Sequence, residues 1–328
     1  MITVKSRTFS SVSKSFNKSF VIISAKLLIT IGLLYYLVTS AQYNQIISAL
    51  KNVNILLLSF VLVLGMINIY LQYTKWNLTS STLLDENNKL KIFRSLFYGF
   101  SAGIITPLRI GEYVGRGIEF KDKSLLQVTV ATLVDKFFPL LIVAFLGSVS
   151  SLLFLYFYLK ISYYIILSLF ILLFTLFYFL IYLIRNMRFW NSVIFSRINS
   201  SSRLKSLLER LKTFENLDRK YFNKMMTVSF LFYSCYLVQY ALLVSAFSSH
   251  FDFVTYLWAA NLVMFVKTII PPVSMGELGI REGASVYFLT QMGEAASVGF
   301  NASIMLFIIN LLIPALIGAV MFLRKNGN

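Results

Sequence analysis

Cysteine and histidine are almost missing from this sequence: Cys235 and His250 are the only examples in 328 residues. One cysteine excludes a disulfide within the chain, and one histidine without a CxxC or HExxH spacing excludes the usual metal sites. Acidic residues are also scarce, at 13 against 30 Lys or Arg, for a formal net charge of +17. There is no GxSxG nucleophile motif and no polar stretch long enough to bind a nucleotide. An embedded transferase or hydrolase is therefore not expected, and neither is a cofactor. Prolines number only five and glycines fifteen, so a motif that spends both of them twice carries weight.

Apolar residues fill the space that these absences leave. They make up 58% of the chain, charged residues 13%, and runs near twenty residues long recur at 20–39, 54–73, 163–184, 225–247 and 300–323. Each is long enough to cross about 30 Å of hydrocarbon as a helix. The runs are apolar all round, unlike the one-sided helices of a soluble core, and the short alternating segments of a membrane β-barrel are missing. The class is all-α: a polytopic integral membrane protein.

The basic residues set the orientation. Positions 1–26 contain Lys5, Arg7, Lys14, Lys18 and Lys26 with no acid, and 185–224 contains ten Lys or Arg against Glu209, Glu215 and Asp218. Both segments are expected on the cytoplasmic side, beside anionic headgroups. No nucleic-acid module accompanies them, so a nucleic-acid partner is not expected. The long basic start and twenty-residue apolar run read as a retained first helix, behind a surface tail at 1–19, and not as a cleaved signal. Placement in the cytoplasmic membrane with both termini inside follows.

One motif occurs twice. Residues 104–116 read IITPLRIGEYVGR and residues 269–281 read IIPPVSMGELGIR; a shift of 165 (272 − 107) aligns Ile, Ile, Pro, Gly, Glu and Arg. Pro107 and Pro272 lack a backbone donor, and Gly103, Gly111, Gly276 and Gly279 permit turns, so each copy reads as a helix break. Each would form a re-entrant hairpin, at 96–120 and about 254–290, beside about six transmembrane helices. Segment 74–95, with Lys75, Lys89, Lys91 and Arg94, would lie in the cytoplasm. With 125–158 as one crossing, three crossings separate the copies, which makes the duplication an inverted repeat of 20–184 and 225–328 around the 185–224 loop. Freed amides at the half-helix starts would favour an anion.

The chemistry sits in the same places. Glu112 with Arg116 and Glu277 with Arg281 are i, i+4 pairs. With Arg109, Asp135, Lys136, Lys267 and Glu282 they put ionisable groups into apolar sequence, where they are costly and mark a pathway. Arg109, Arg116 and Arg281 have the planar fork that suits phosphate, and Glu112, Glu277 and Glu282 would balance them or receive an ammonium or a proton. Asp135, Lys136 and Lys267 are candidates for coupling; Asp135 and Lys136 would equally form a pair within their helix. The Glu/Arg pairs would also serve simply to hold the hairpins together. Glu119, Lys121, Asp122 and Lys123 read as a solvated return to the cytoplasm.

Through GIITPLRIGEYVGR at 103–116, TLVDK at 132–136 and PPVSMGELGIREG at 271–283, the chain resembles the lysylphosphatidylglycerol synthase transmembrane region, the flippase part of bacterial multiple-peptide-resistance proteins. The resemblance covers nearly the whole chain and implies two inverted repeats with re-entrant helices that move a lipid, or a lipid-linked molecule, between leaflets. Leu108 stands where the family often has Gly, Lys136 where it often has Arg, and Glu277 where a second Gly is frequent. No soluble aminoacyl transferase domain is visible, so lysyl transfer is not expected, and a separate enzyme would modify the lipid. The expected function is a lipid flippase or scramblase for an anionic headgroup; the alternative is a proton- or ion-coupled carrier of a small soluble anion.

Overall fold

The computed structural model describes residues 35, 39, 43–185, 219–270 and 278–326. The expected first helix at 20–39 lies outside these apart from two positions, as do most of the basic loop and, in the second motif, Pro272, Gly276 and Glu277. Among the described residues the secondary structure is helical, without strands. The elements are α1 (Tyr43–Lys51), α2 (Ile55–Leu83), α3 (Lys89–Ile105), a 3-10 turn (Pro107–Arg109), α4 (Gly111–Gly117), α5 (Leu125–Phe157), α6 (Tyr163–Arg185), α7 (Arg219–Phe247), α8 (Phe253–Ile269), α9 (Ile280–Gln291), α10 (Ala296–Phe307), a π turn (Ile308–Leu312) and α11 (Ile313–Asn326).

Five helical stretches are long and apolar enough to cross a membrane: Ile55–Leu83, Leu125–Phe157, Tyr163–Leu180, Arg219–Phe247 and Ala296–Lys325. Burial confirms the solvent. Large apolar side chains such as Tyr164, Leu172 and Met66 are exposed, while Lys75, Glu112, Arg116, Asp135, Arg281 and Glu282 are buried. In water that distribution would be prohibitive; in hydrocarbon it is the stable one. The chain is a polytopic helical membrane protein.

Residues 125–157 form one continuous helix, capped by Ser124 and Gln127 and carrying Pro139 inside it. The boundary expected at 74–95 is wrong. α2 continues through Leu83, α3 begins at Lys89, and only the short connection 84–88 separates them. Lys75 is therefore a buried residue inside α2 and not part of a connecting segment.

The duplication extends to whole helices. α2 and α7 end 164 apart (247 − 83); α3 and α8 are both 17 residues long and start 164 apart (253 − 89). α2 and α7 pack on each other. Asn54 N–H donates to the Ala246 carbonyl, Gln239 Nε2 to the Val61 carbonyl, Cys235 Sγ to the Leu64 carbonyl, and Thr79 hydrogen-bonds Tyr221. As one index rises along α2 its partner falls along α7, so the equivalent helices run antiparallel. The arrangement around them also repeats: α3 packs on α11, and α8 on α5. These contacts use small residues, with Gly318 against the Phe97 carbonyl and Gly147 against Phe265. Lipid gives helices no hydrophobic reason to associate, so close approach of backbones has to supply the contact.

Candidate functional site

The first motif folds into a tight helical hairpin. Asn88 caps α3, accepting from the Leu90 and Lys91 amides. The helix stops at Thr106, and Leu108 (φ 54°) and Arg109 (φ 55°) then take left-handed backbone, which reverses the chain into α4. An L side chain pays about 1–2 kcal/mol for that conformation and glycine does not. Thr106 closes the turn: its Oγ1 donates to the Ala102 carbonyl at 2.9 Å and accepts from the Gly111 amide at 2.7 Å. That amide was expected to be available to an anion and is instead satisfied within the hairpin.

Glycines bring the two arms together. Each arm has a GxxxG spacing: Gly99 and Gly103 on α3 lie against the Arg116 and Glu112 side chains, and Gly111 and Gly115 on α4 lie against the Ala102 and Tyr98 backbone. A methyl group on Gly111 would lie 2.2 Å from the Ala102 carbonyl oxygen, and one on Gly115 would lie 2.4 Å from that of Tyr98. No side chain fits there, so the backbones touch and the long side chains of Glu112 and Arg116 pass over Gly99 and Gly103.

Those two side chains form the centre of a charged network. Arg116 Nη2 donates to Glu112 Oε1 at 2.8 Å, which makes the expected i, i+4 pair, and Nη1 donates to Asp135 Oδ2 at 3.0 Å. Lys136 Nζ donates to Glu112 Oε2 at 2.6 Å, and Arg109 Nη2 lies 3.1 Å from the same oxygen. Lys75 Nζ approaches Asp135 Oδ1 at 3.5 Å. Trp76 lies under the Arg116 guanidinium at 4.3 Å and donates to Ser95, whose hydroxyl holds the Arg116 carbonyl at 2.7 Å. Asp135 and Lys136 are thus not paired within their helix; each reaches a different residue of α4.

Charge and depth are both graded. Side-chain exposure falls from 35% at Lys136 and 20% at Arg109 to 4% or less at Glu112, Arg116 and Asp135. Even with Arg109 set aside, Lys75, Arg116 and Lys136 face two carboxylates among the described residues. A positive surplus that opens at Lys136 and deepens toward Arg116 attracts an anion.

Of the second motif the end, from Leu278 on, is described. Gly279 (φ 94°) starts α9, and Glu282 reaches back to accept from its amide at 2.6 Å. Arg281 Nη2 donates to Glu282 Oε1 at 2.6 Å and its Nε to Ser303 Oγ at 3.1 Å, against the ring of Phe307. Both charges are fully buried and belong to the wall between α9 and α10. Lys267 lies over Tyr236 at 5.6 Å, on α8. The structure therefore gathers Arg109, Glu112, Arg116, Asp135 and Lys136 into one site and builds Arg281 and Glu282 into another. Glu119 is not solvated but buried, and accepts from Lys325 at 2.7 Å, tying the end of α11 to the first hairpin.

Two features escaped the sequence reading. Lys75 was placed outside the membrane because the helix was cut at about twenty residues. The paired GxxxG spacing at 99–103 and 111–115 was present and is the signal that would have located the hairpin interface.

An all-α bundle of antiparallel equivalent helices, with a buried charged hairpin at its centre, defines a duplicated polytopic membrane protein. A family model, lysylphosphatidylglycerol synthase TM region, matches residues 23–318, and the chain belongs to that family. No curated protein matches it.

Proposed function

We propose that this protein moves a lipid with an anionic headgroup between the leaflets of the cytoplasmic membrane, as a flippase or scramblase and not as an enzyme. The first hairpin is re-entrant, both termini are cytoplasmic, and the headgroup crosses through the charged site while its tails remain in the bilayer. One observation carries this reading: among the described residues, buried Arg116 and Lys75 and part-exposed Lys136 stand around two carboxylates, Glu112 and Asp135, on a hairpin broken within an apolar fold. A carboxylate pair satisfied by as many cations would need no ligand. A surplus of positive charge on part-exposed Lys136, at the mouth of a buried charged cluster, draws an anion, and a phosphate on a lipid supplies it without leaving the membrane.

Arg116 offers the bidentate geometry, and Arg109 with Lys136 form the entrance. Glu112 holds these cations together. Purified protein in phosphatidylcholine vesicles carrying a fluorescent phosphatidylglycerol tests the reading. Wild type should expose inner-leaflet probe to an external quencher, and Arg116→Ala should slow this at least tenfold. Vesicles that trap soluble phosphate and release it at wild-type speed, with no movement of the lipid probe, would replace this reading by the soluble-anion carrier.

A further inference from the structure

The two repeats contain the same interhelical contact made with different chemistry. Asp135 stands four residues before Pro139 in α5, and Asn310 stands four before Pro314 at the π turn; both members shift by 175 (310 − 135, 314 − 139). Their partners correspond as well. Lys75 on α2 approaches Asp135, and Gln239, 164 further along on the equivalent helix α7, accepts from Asn310 Nδ2 at 2.6 Å. Where the first repeat has a lysine and a carboxylate, the second has two amides.

This pairing shows what the fold itself requires at that position. In each helix proline removes the hydrogen bond to the carbonyl four residues earlier, the carbonyl of Asp135 or Asn310, and a polar contact to the neighbouring repeat helix holds the weakened segment. Amides do this in the second repeat. Gln239 Nε2 also donates to the Val61 carbonyl at 3.2 Å, so the contact is fixed on both sides. Charge is therefore not needed for packing.

Charge in the first repeat is also held loosely. Lys75 to Asp135, at 3.5 Å, is the longest ion pair of the cluster, whose others are 2.6 to 3.1 Å. Asp135 Oδ1 accepts no hydrogen bond, although it is buried; Asn310 Oδ1 is in the same state in the second repeat, but there the unmet group is neutral and here it is charged. Asp135 already has a close partner in Arg116. From α7 the ring of Phe232 lies 5.1 Å from Lys75.

We propose that Lys75 is a stand-by counter-ion, a positioning residue that lets Arg116 exchange Asp135 for the anion of the substrate. When a phosphate arrives past Arg109 and Lys136, Arg116 turns its fork onto it, and Lys75 closes on the open oxygen of Asp135. The carboxylate is never left buried and alone, which would otherwise oppose the exchange. No covalent bond changes. Since Gln239 and Asn310 cannot perform this exchange, the two repeats are unequal at this contact: the first repeat's pair serves the anion and the second's is its neutral structural copy.

This role rests on the lipid-translocation reading above, and the experiment separates the two. The double variant Lys75→Gln with Asp135→Asn copies the second repeat into the first. It should insert and melt like wild type, yet translocate fluorescent phosphatidylglycerol at least tenfold more slowly. Lys75→Gln alone leaves the bond from Arg116 to Asp135 in place; it should slow maximal translocation more than it changes the probe concentration giving half-maximal rate, and Lys75→Arg should restore most of the rate. Wild-type rates in both glutamine variants, with wild type active, overturn the counter-ion role alone. A double variant that fails to fold overturns the premise that amides suffice there. An inactive wild type overturns the lipid reading and this role together.

Discussion

Glu112 is the residue whose neutralisation should be felt most sharply. Its buried carboxylate receives Arg116 at 2.8 Å, Lys136 at 2.6 Å and Arg109 at 3.1 Å. Glu112→Gln preserves volume and one acceptor, but turns an amide N–H toward cations and deprives three of them of a shared anion. Stranding a buried charge costs about 3–5 kcal/mol. Lys136 and Arg109 retain 35% and 20% side-chain exposure and can turn toward water, so the lower end, roughly 3 kcal/mol, applies. At about 2–4 °C per kcal/mol, the apparent melting temperature in detergent should fall by about 6–12 °C. Aggregation followed by size-exclusion fluorescence measures it. If the lost carboxylate is what the cations miss, inorganic phosphate should restore more stability to the variant than to wild type, while chloride at equal ionic strength should not. Melting within a degree of wild type, with no phosphate effect, would refute Glu112 as the hub of the site.

Gly115→Ala should destabilise by about 3 kcal/mol or more, because its methyl would meet the Tyr98 carbonyl oxygen at 2.4 Å and backbone cannot move aside, whereas Gly283→Ala, with nothing within 4 Å, should be neutral or slightly stabilising in the same melt. Leu108→Gly should remove left-handed strain of about 1–2 kcal/mol and, since glycine also loosens the unfolded chain, raise the melting temperature by only a few degrees at most. A cysteine placed at exposed Ser249, in a Cys235→Ser background, should react with an impermeant maleimide in intact cells, while one at Ser201 should react only after lysis; the reverse pattern would invert the orientation.

Composition alone was enough for the class of protein, since runs of twenty apolar residues have one stable setting. The first hairpin's break was legible in Pro107 and Gly111, which flank the turn; Gly103, expected to break the helix, lies inside α3 and serves close packing, and the left-handed backbone falls on Leu108 and Arg109. The Glu112 and Arg116 pair followed from helical spacing. These are local properties: the residue and its few neighbours contain all the physics.

The partners of those residues were not local, and only the tertiary structure decided them. Asp135 and Lys136 are adjacent in sequence but bond to different groups on α4, because consecutive helical positions point about 100° apart and another helix chooses between them. Lys75 looked like a membrane-edge lysine until α2 proved nine residues longer than a minimal span and buried it against α5. Arg281, a match to Arg116 in the aligned motif, also binds Glu282 and Ser303, and Glu282 has Gly117 as its counterpart in the first repeat, so the sequence match did not reveal these partners. A duplicated sequence specifies two similar backbones; which copy keeps a surplus charge depends on the side chains that the opposite repeat brings to it.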